Sequence, residues 1–352
     1  MLKHFGGSIA FTVIALLVAG WLGWSQTGTV EGMLSIVWIC IVLGVLETSL
    51  SFDNAAVNAS VLKDMDPVWQ QRFLTWGIAI AVFGMRIVFP LVIVAIAASL
   101  GPIGAFRLAI EQPERYAQIM HDSHIGLMGF GGAFLGMVGL KYFFDSDKEI
   151  HWIAVLERPL QRFANVEALE IAVMLLAIWG TSTMLPDTER LTFMVAALFG
   201  LLTFIAVQML SNALEAPADA TGAVARSGFG SFLYLEVLDA SFSFDGVIGA
   251  FALSTNLFVI AIGLGIGAMF VRSLTIFLVR QGTMSQYRFL EHGAFYAILA
   301  LAAIMFLSVR YAIPEVVTGL IGAVLIGLSF YSSLRWNKAN RETSEGERAP
   351  AG

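Results

Sequence analysis

The sequence predicts an all-α polytopic membrane protein with about ten transmembrane helices in two inverted-topology repeats of five, N-terminus and C-terminus both inside. Three observations carry that expectation. The chain is far too apolar for a soluble protein, its apolar residues fall into stretches of membrane-spanning length, and one acidic motif occurs once in each half. Of 352 residues, 58% are hydrophobic and 13% charged, against about 25% charged in an average soluble domain. A mean hydropathy of +0.79 agrees. No soluble core of this size hides so much apolar surface, and the same composition excludes intrinsic disorder. A net charge of −6 argues against a nucleic-acid partner. A single cysteine, Cys40, excludes an internal disulfide and any cysteine-based zinc cluster.

A bilayer core of about 30 Å needs about 20 apolar residues per helix. Stretches of that kind lie at 5–24, 33–62, 76–100, 125–144, 165–185, 191–210, 230–254, 257–279, 290–309 and 312–334. Polar breaks such as Lys63-Asp64-Met65-Asp66-Pro67 and Leu185-Pro186-Asp187 separate them. The first stretch has a basic start but no small-residue cleavage site after Trp24, so it reads as a retained helix. Residues 1–336 form one transmembrane domain with halves at about 1–185 and 186–336, and the polar tail 337–352 reads as a disordered cytoplasmic segment.

Orientation follows from the basic residues. With the N-terminus inside, fourteen of the 20 Lys and Arg residues fall on the cytoplasmic side and four, Arg107, Arg115, Arg190 and Arg310, on the outer side. That is the bias of the positive-inside rule. It places loop 145–164 inside and loop 101–124 outside.

Two spans carry charge where charge is expensive. The second contains Glu47-Thr-Ser49-Leu-Ser51-Phe52-Asp53, and the seventh contains Asp239-Ala-Ser241-Phe-Ser243-Phe244-Asp245. In each, the acids stand six residues apart, and the next span holds one arginine, Arg86 or Arg272. The recurrence reads as a duplication, and an odd number of spans per half makes it inverted. Each buried charge costs about 2.5–3.5 kcal/mol at the bilayer centre, so these groups must face one another or water. Two ion pairs would be the structural explanation. Four acids against two arginines leave a negative surplus, for which a cation is the complement.

At 100° per residue, Glu47, Ser51, Asn54 and Asn58 share one helical stripe, and so do Glu236, Asp239 and Ser243. Asp53 and Asp245 point away from those stripes on a regular helix. Weak helix formers around Ser51 and a glycine at Gly246 predict discontinuous segments that would let the acids converge and free backbone carbonyls. Carboxylate, amide, hydroxyl and carbonyl oxygens form a hard ligand set suited to Mg²⁺, Ca²⁺ or Mn²⁺.

The run Leu46-Glu47-Thr48-Ser49-Leu50-Ser51-Phe52-Asp53-Asn54-Ala55 resembles the signature of the TerC family of integral membrane proteins. Phe244-Asp245-Gly246-Val247-Ile248-Gly249 resembles that family's second acidic motif, and Arg272-Ser273-Leu274 fits as well. Glu291-His292-Gly293 is more like its DUF475 branch. The second motif departs at Gly246, where many relatives carry serine and its hydroxyl. The resemblance implies metal or tellurite resistance and manganese efflux across the bacterial inner membrane. It implies Glu47, Asp53, Asn54, Asp239 and Asp245 as ligands of a transported Mn²⁺, with no tightly bound cofactor. Arg86 and Arg272 would position or neutralise the acids, with Ser51, Asn58, Glu236 and Ser243 in support; His292, at the start of its span, reads as an interfacial or capping residue or else as a proton carrier in exchange.

Other features are weaker. Asp145-Ser-Asp147-Lys-Glu149-Ile-His151 reads as a solvated loop, with a regulatory or entry site the alternative, and His124 as an interfacial or capping residue or else a proton carrier. Glycines at 129–136 and 263–267 read as helix-packing positions. Two other functions compete with transport: a membrane scaffold for a stress-response complex, and an intramembrane hydrolase built on an acid dyad. Partners are the bilayer and the cation, and a homo-oligomer is compatible with the sequence.

Overall fold

The computed structural model describes residues 2–77, 79–146, 148–163, 166, 168–215 and 223–346, and at some helical positions, Asp245 among them, the backbone alone. Two long apolar helices open the fold, α1 (Leu2–Thr27) and α2 (Val30–Leu50). Gly28, with φ +64°, makes the turn between them, and Thr29 caps α2 by accepting from the Gly32 N–H (3.1 Å). After Ser51 the chain continues as α3 (Phe52–Leu62). Asp66 then caps α4 (Pro67–Arg72), with proline at the first helical position where no N–H is needed.

Two π-helical stretches, Phe73–Gly77 and Ile80–Val88, lead into α5 (Phe89–Ala97). Together these segments form an apolar pair bent by 44°. Two short proline-initiated helices follow, α6 (Pro102–Glu111) and α7 (Pro113–Asp122), then the glycine-rich α8 (His124–Phe143). The amphipathic α9 (Ala154–Arg162) precedes α10 (Leu169–Ser182) and α11 (Asp187–Glu215). The second acidic motif lies on α12 (Ala223–Leu253). Asn256 caps α13 (Leu257–Arg280) by accepting from Phe258 and Val259 N–H groups. The chain ends with α14 (Thr283–Gln286), α15 (Leu290–Ser308) and α16 (Glu315–Gly346).

Among the described residues, seven helices are long and apolar enough to cross a membrane, or eight if the bent pair counts as one span. The molecule is an all-α multi-pass membrane protein. Each of the ten apolar stretches contains helix, but two fall short of that standard. Stretch 165–185 yields only α10, a helix of 14 residues, or about 21 Å at 1.5 Å per residue. Stretch 230–254 is long enough, yet Glu236, Asp239 and Asp245 interrupt its apolar character. Helical backbone in α16 also continues to Gly346, into the stretch expected to be a disordered tail. Lys, Arg, Glu and Ala are good helix formers and propagate a helix already nucleated.

The packing is set by small residues. Helices α8, α13 and α15 are mostly buried, while α1, α2 and α16 present Leu17, Trp21, Trp38 and Leu328 outward. A Cβ on Gly129 would meet the Phe193 carbonyl at 3.0 Å, and one on Gly263 would lie 2.6 Å from the Leu43 Cβ. The expected packing role of both glycine runs is the one observed. Near its start, α1 is tied to α13, where Ser8 Oγ lies 2.6 Å from Ser273 Oγ. At the far end of α3, Lys63 Nζ donates to Glu291 Oε2 of α15 (2.6 Å).

Candidate functional site

The break between α2 and α3 falls at one residue. Ser51 has φ −98° and ψ 23°, outside the helical range, and its Oγ donates to Glu47 Oε1 (3.3 Å). The expected discontinuity occurs there, at a residue whose hydroxyl meets the Glu47 side chain while the bonds from the Ser51 N–H to the Glu47 carbonyl (3.0 Å) and from the Ala55 N–H to the Ser51 carbonyl (3.2 Å) persist. On the second motif it does not. In α12 the Ser241 hydroxyl bonds back to the Val237 carbonyl (2.9 Å), a contact compatible with an unbroken ladder, and the backbone stays helical through Asp245 and Gly246.

Glu47 is 6% exposed, and Arg86 Nη2 donates to its Oε1. Arg86 Nε donates in addition to the Leu264 carbonyl of α13 (3.3 Å). Arg272 forms no such ion pair among the described residues. Its Nε (2.8 Å) and its Nη2 both donate to the Leu74 carbonyl within the first π-helical stretch. A guanidinium inserted at a carbonyl is a recognised way to loosen a helical ladder. Only one of the two expected ion pairs is therefore seen.

The amides behave as the stripe predicts. Asn58 Nδ2 donates to Asn54 Oδ1 (2.9 Å) and across to Asp239 Oδ1 of α12 (2.9 Å). Its own Oδ1 is buried with no partner among the described residues. Asp53 is 8% exposed at the first turn of α3, where the Asn54 N–H donates to its Oδ1 (2.9 Å). Negative charge at a helix N-terminus is favourable.

Two small cavities adjoin this cluster. One, of about 40 Å³, is lined by Glu47, Asn54, Asn58, Arg86, Asp239 and Arg272, with Leu74, Gly77 and Thr275. The other, of about 30 Å³, is lined by Glu47, Ser51, Asp53, Asn54 and Gly246, with Phe242, Leu301, Thr318 and Gly319. Glu47 and Asn54 border both. Glu236 and Ser243 are buried but line neither, and the Asp245 side chain lies outside the described residues. Among the described residues no three of His, Cys, Asp and Glu gather closely enough to hold a metal ion. The expected single shell is thus divided between two cavities.

His292 is not at this site. Its Nε2 donates to the Ile150 carbonyl (2.8 Å) and lies 3.3 Å from Glu157 Oε2, while Tyr142 Oη stands 3.2 Å from its Nδ1. Glu157, 1% exposed, also receives the Ile153 N–H (3.0 Å) and Tyr296 Oη (3.2 Å) and forms an ion pair with Lys148 Nζ (3.1 Å). Burial alone would raise the Glu157 carboxyl, but the His292 ring, the Ile153 N–H and Lys148 outweigh it and hold the carboxyl down at about 2. Burial wins at Lys148, whose ammonium is pushed below its ordinary value. This cluster, which pins loop 145–162 against α15, had no spacing pattern to announce it.

Sequence reasoning also missed the α16 wall. Thr318 and Gly319 line the second cavity, and a Cβ on Gly322 would lie 3.2 Å from Asp53 Oδ2. Residues 52–340 match a family model described as Protein of unknown function (DUF475). No curated protein and no solved structure matches the chain.

Proposed function

The chain belongs to the DUF475 family, so its activity is read from the site, and we propose that it is a secondary transporter of a divalent metal cation. The observation that carries the reading is Asn58. A buried amide bridges the two acid-bearing helices and lines a cavity, while its carbonyl oxygen has no partner among the described residues. An unpaired buried acceptor costs about 1–3 kcal/mol unless something in the cavity satisfies it. Oxygen ligands from carboxylates, amides and hydroxyls fit a hard cation. Ligands spread over two cavities also fit an ion that must leave again, since conduction needs sites that are weak or multiple.

The finer readings belong to the same proposal. The cargo is Mn²⁺, exported across a bacterial inner membrane, and the chain is a branch of the TerC family. Support for an inverted repeat comes from the two arginines, each of which donates to a backbone carbonyl across the pair of motifs: Arg86 of the second π-helical stretch to Leu264 of α13, and Arg272 of α13 to Leu74 of the first π-helical stretch. The resident arginine at Glu47 stands in for the cation and would be displaced as the cation binds. An acid dyad for hydrolysis has less support, because Asp53 and Asp239 line different cavities.

The test is Mn²⁺ flux in vesicles carrying the purified protein, with Ca²⁺ and Zn²⁺ as competitors. Asp53→Asn and Asp245→Asn each keep volume and remove one charge. Each should abolish flux with helical content intact, and the double variant should be no worse. Full flux by the double variant would leave the motif purely structural.

A further inference from the structure

The two cavities differ in charge, and that difference says more than their existence. The first holds Asp239 and Glu47 opposed by two guanidiniums, Arg86 and Arg272, so its formal charges cancel. The second holds Asp53 beside Glu47, whose charge Arg86 already meets from the other side. Among the described residues no basic side chain lines the second cavity, and none pairs with Asp53. A carboxylate that is 8% exposed, on the helix that directly follows the span α2, is left without a counter-charge. Such a charge is retained only if something positive neutralises it.

The volumes decide what that can be. Cavities of about 40 and 30 Å³ each hold about one water-sized particle. Neither holds a cation with its hydration shell. Thr318 and Ser51 supply neutral oxygens around Asp53, and the glycines at 246, 319 and 322 leave the space open.

Building on the transporter reading, we propose that the protein has two separate sites for dehydrated divalent cations. The tight one is at Asp53, walled by Thr318 of α16, and the weak one is at Asp239, with Glu47 and Asn54 as the shared partition. The tight site keeps a net negative charge to offset dehydration. The weak site must compete with two resident guanidiniums. An ion crossing the partition would pass the Glu47 carboxylate as Arg86 gives it up.

The experiment is equilibrium binding of Mn²⁺ to the purified full-length protein in nanodiscs, with folding checked by circular dichroism. Wild type should bind two ions with distinct affinities. Asp53→Asn should lose the tight ion and keep the weak one, and Asp239→Asn the reverse. Thr318→Val should weaken the tight site roughly ten-fold, the loss of one good ligand contact, and leave the weak one unchanged. If Asp53→Asn misfolds, Gly322→Ala serves instead, because it crowds Asp53 Oδ2 without changing charge and should weaken only the tight site. A single bound ion lost equally in the Asp53 and Asp239 variants would overturn the two-site inference and leave the transporter standing. Absence of Mn²⁺ binding in folded wild type would overturn both.

Discussion

Gly267 of α13 stands directly against Glu47 of α2: a Cβ built on Gly267 would fall inside the Glu47 side chain and 3.0 Å from the Gly44 carbonyl. The carboxylate that Arg86 holds is therefore positioned by the absence of a methyl group on the neighbouring helix. Gly246 approaches the same side chain from α12, its Cβ position 3.0 Å from Glu47 Oε2.

Gly267→Ala should accordingly act as an overpacking change, costing about 1–3 kcal/mol. Glu47 would be displaced from Arg86, so a lower thermal midpoint should come with reduced Mn²⁺ flux. Gly180→Ala, at a position with nothing within 4 Å, is the control and should change neither.

Removing Arg86 leaves Glu47 buried and unpaired. Arg86→Gln should destabilise the protein by about 3–5 kcal/mol, measured by thermal unfolding in detergent. Adding Glu47→Gln removes the stranded charge and should restore folding without restoring flux. A single variant that folds and transports normally would refute the assignment of this pair.

Glu157 makes loop 145–162 sensitive to acid. Its carboxyl sits at about 2 in the folded protein against an ordinary 4.5. A depressed carboxyl contributes stability that is complete above its unfolded value and is lost as pH falls through the folded one. Hydrogen exchange in residues 145–162, taken relative to the intrinsic amide rate at each pH, should therefore be flat down to about pH 4.5 and rise steadily from there to about pH 2. Glu157→Gln should raise exchange at neutral pH and flatten that dependence.

Topology can be read with single cysteines, because Cys40 is buried and is the sole cysteine in the sequence. In a Cys40→Ala background, a cysteine at Val155 should be labelled only from the cytoplasm and one at Phe106 only from outside. Both positions are exposed. Labelling of both from the same side would remove the inverted repeat.

Much of this arrangement is legible in the sequence because it depends on local chemistry. The stripe of Glu47, Ser51, Asn54 and Asn58 follows from helical period alone, and the break at Ser51 falls among the weak helix formers Ser51 to Asn54. What is not legible depends on partners distant in the chain. The π-helical stretches at 73–88 read as ordinary apolar helix, since it is Arg272, 198 residues from Leu74, that takes the Leu74 carbonyl. Thr318 and Gly322 look like routine positions on a lipid-facing helix until Asp53 is placed beside them. The same limit applies to Ser241 and Ser243. They repeat the Ser49 and Ser51 pattern, but the backbone of α12 stays helical through them.

A one-residue break also has a mechanical consequence. With a pivot at Ser51, α3 is a lever whose outer tip is latched by Lys63 to Glu291. At 1.5 Å per residue, Asp53 lies about 3 Å from the pivot and Lys63 about 18 Å. A swing of the tip is thus reduced roughly six-fold at the carboxylate. A displacement of several ångströms at the Lys63 end therefore moves Asp53 by less than the radius of an atom.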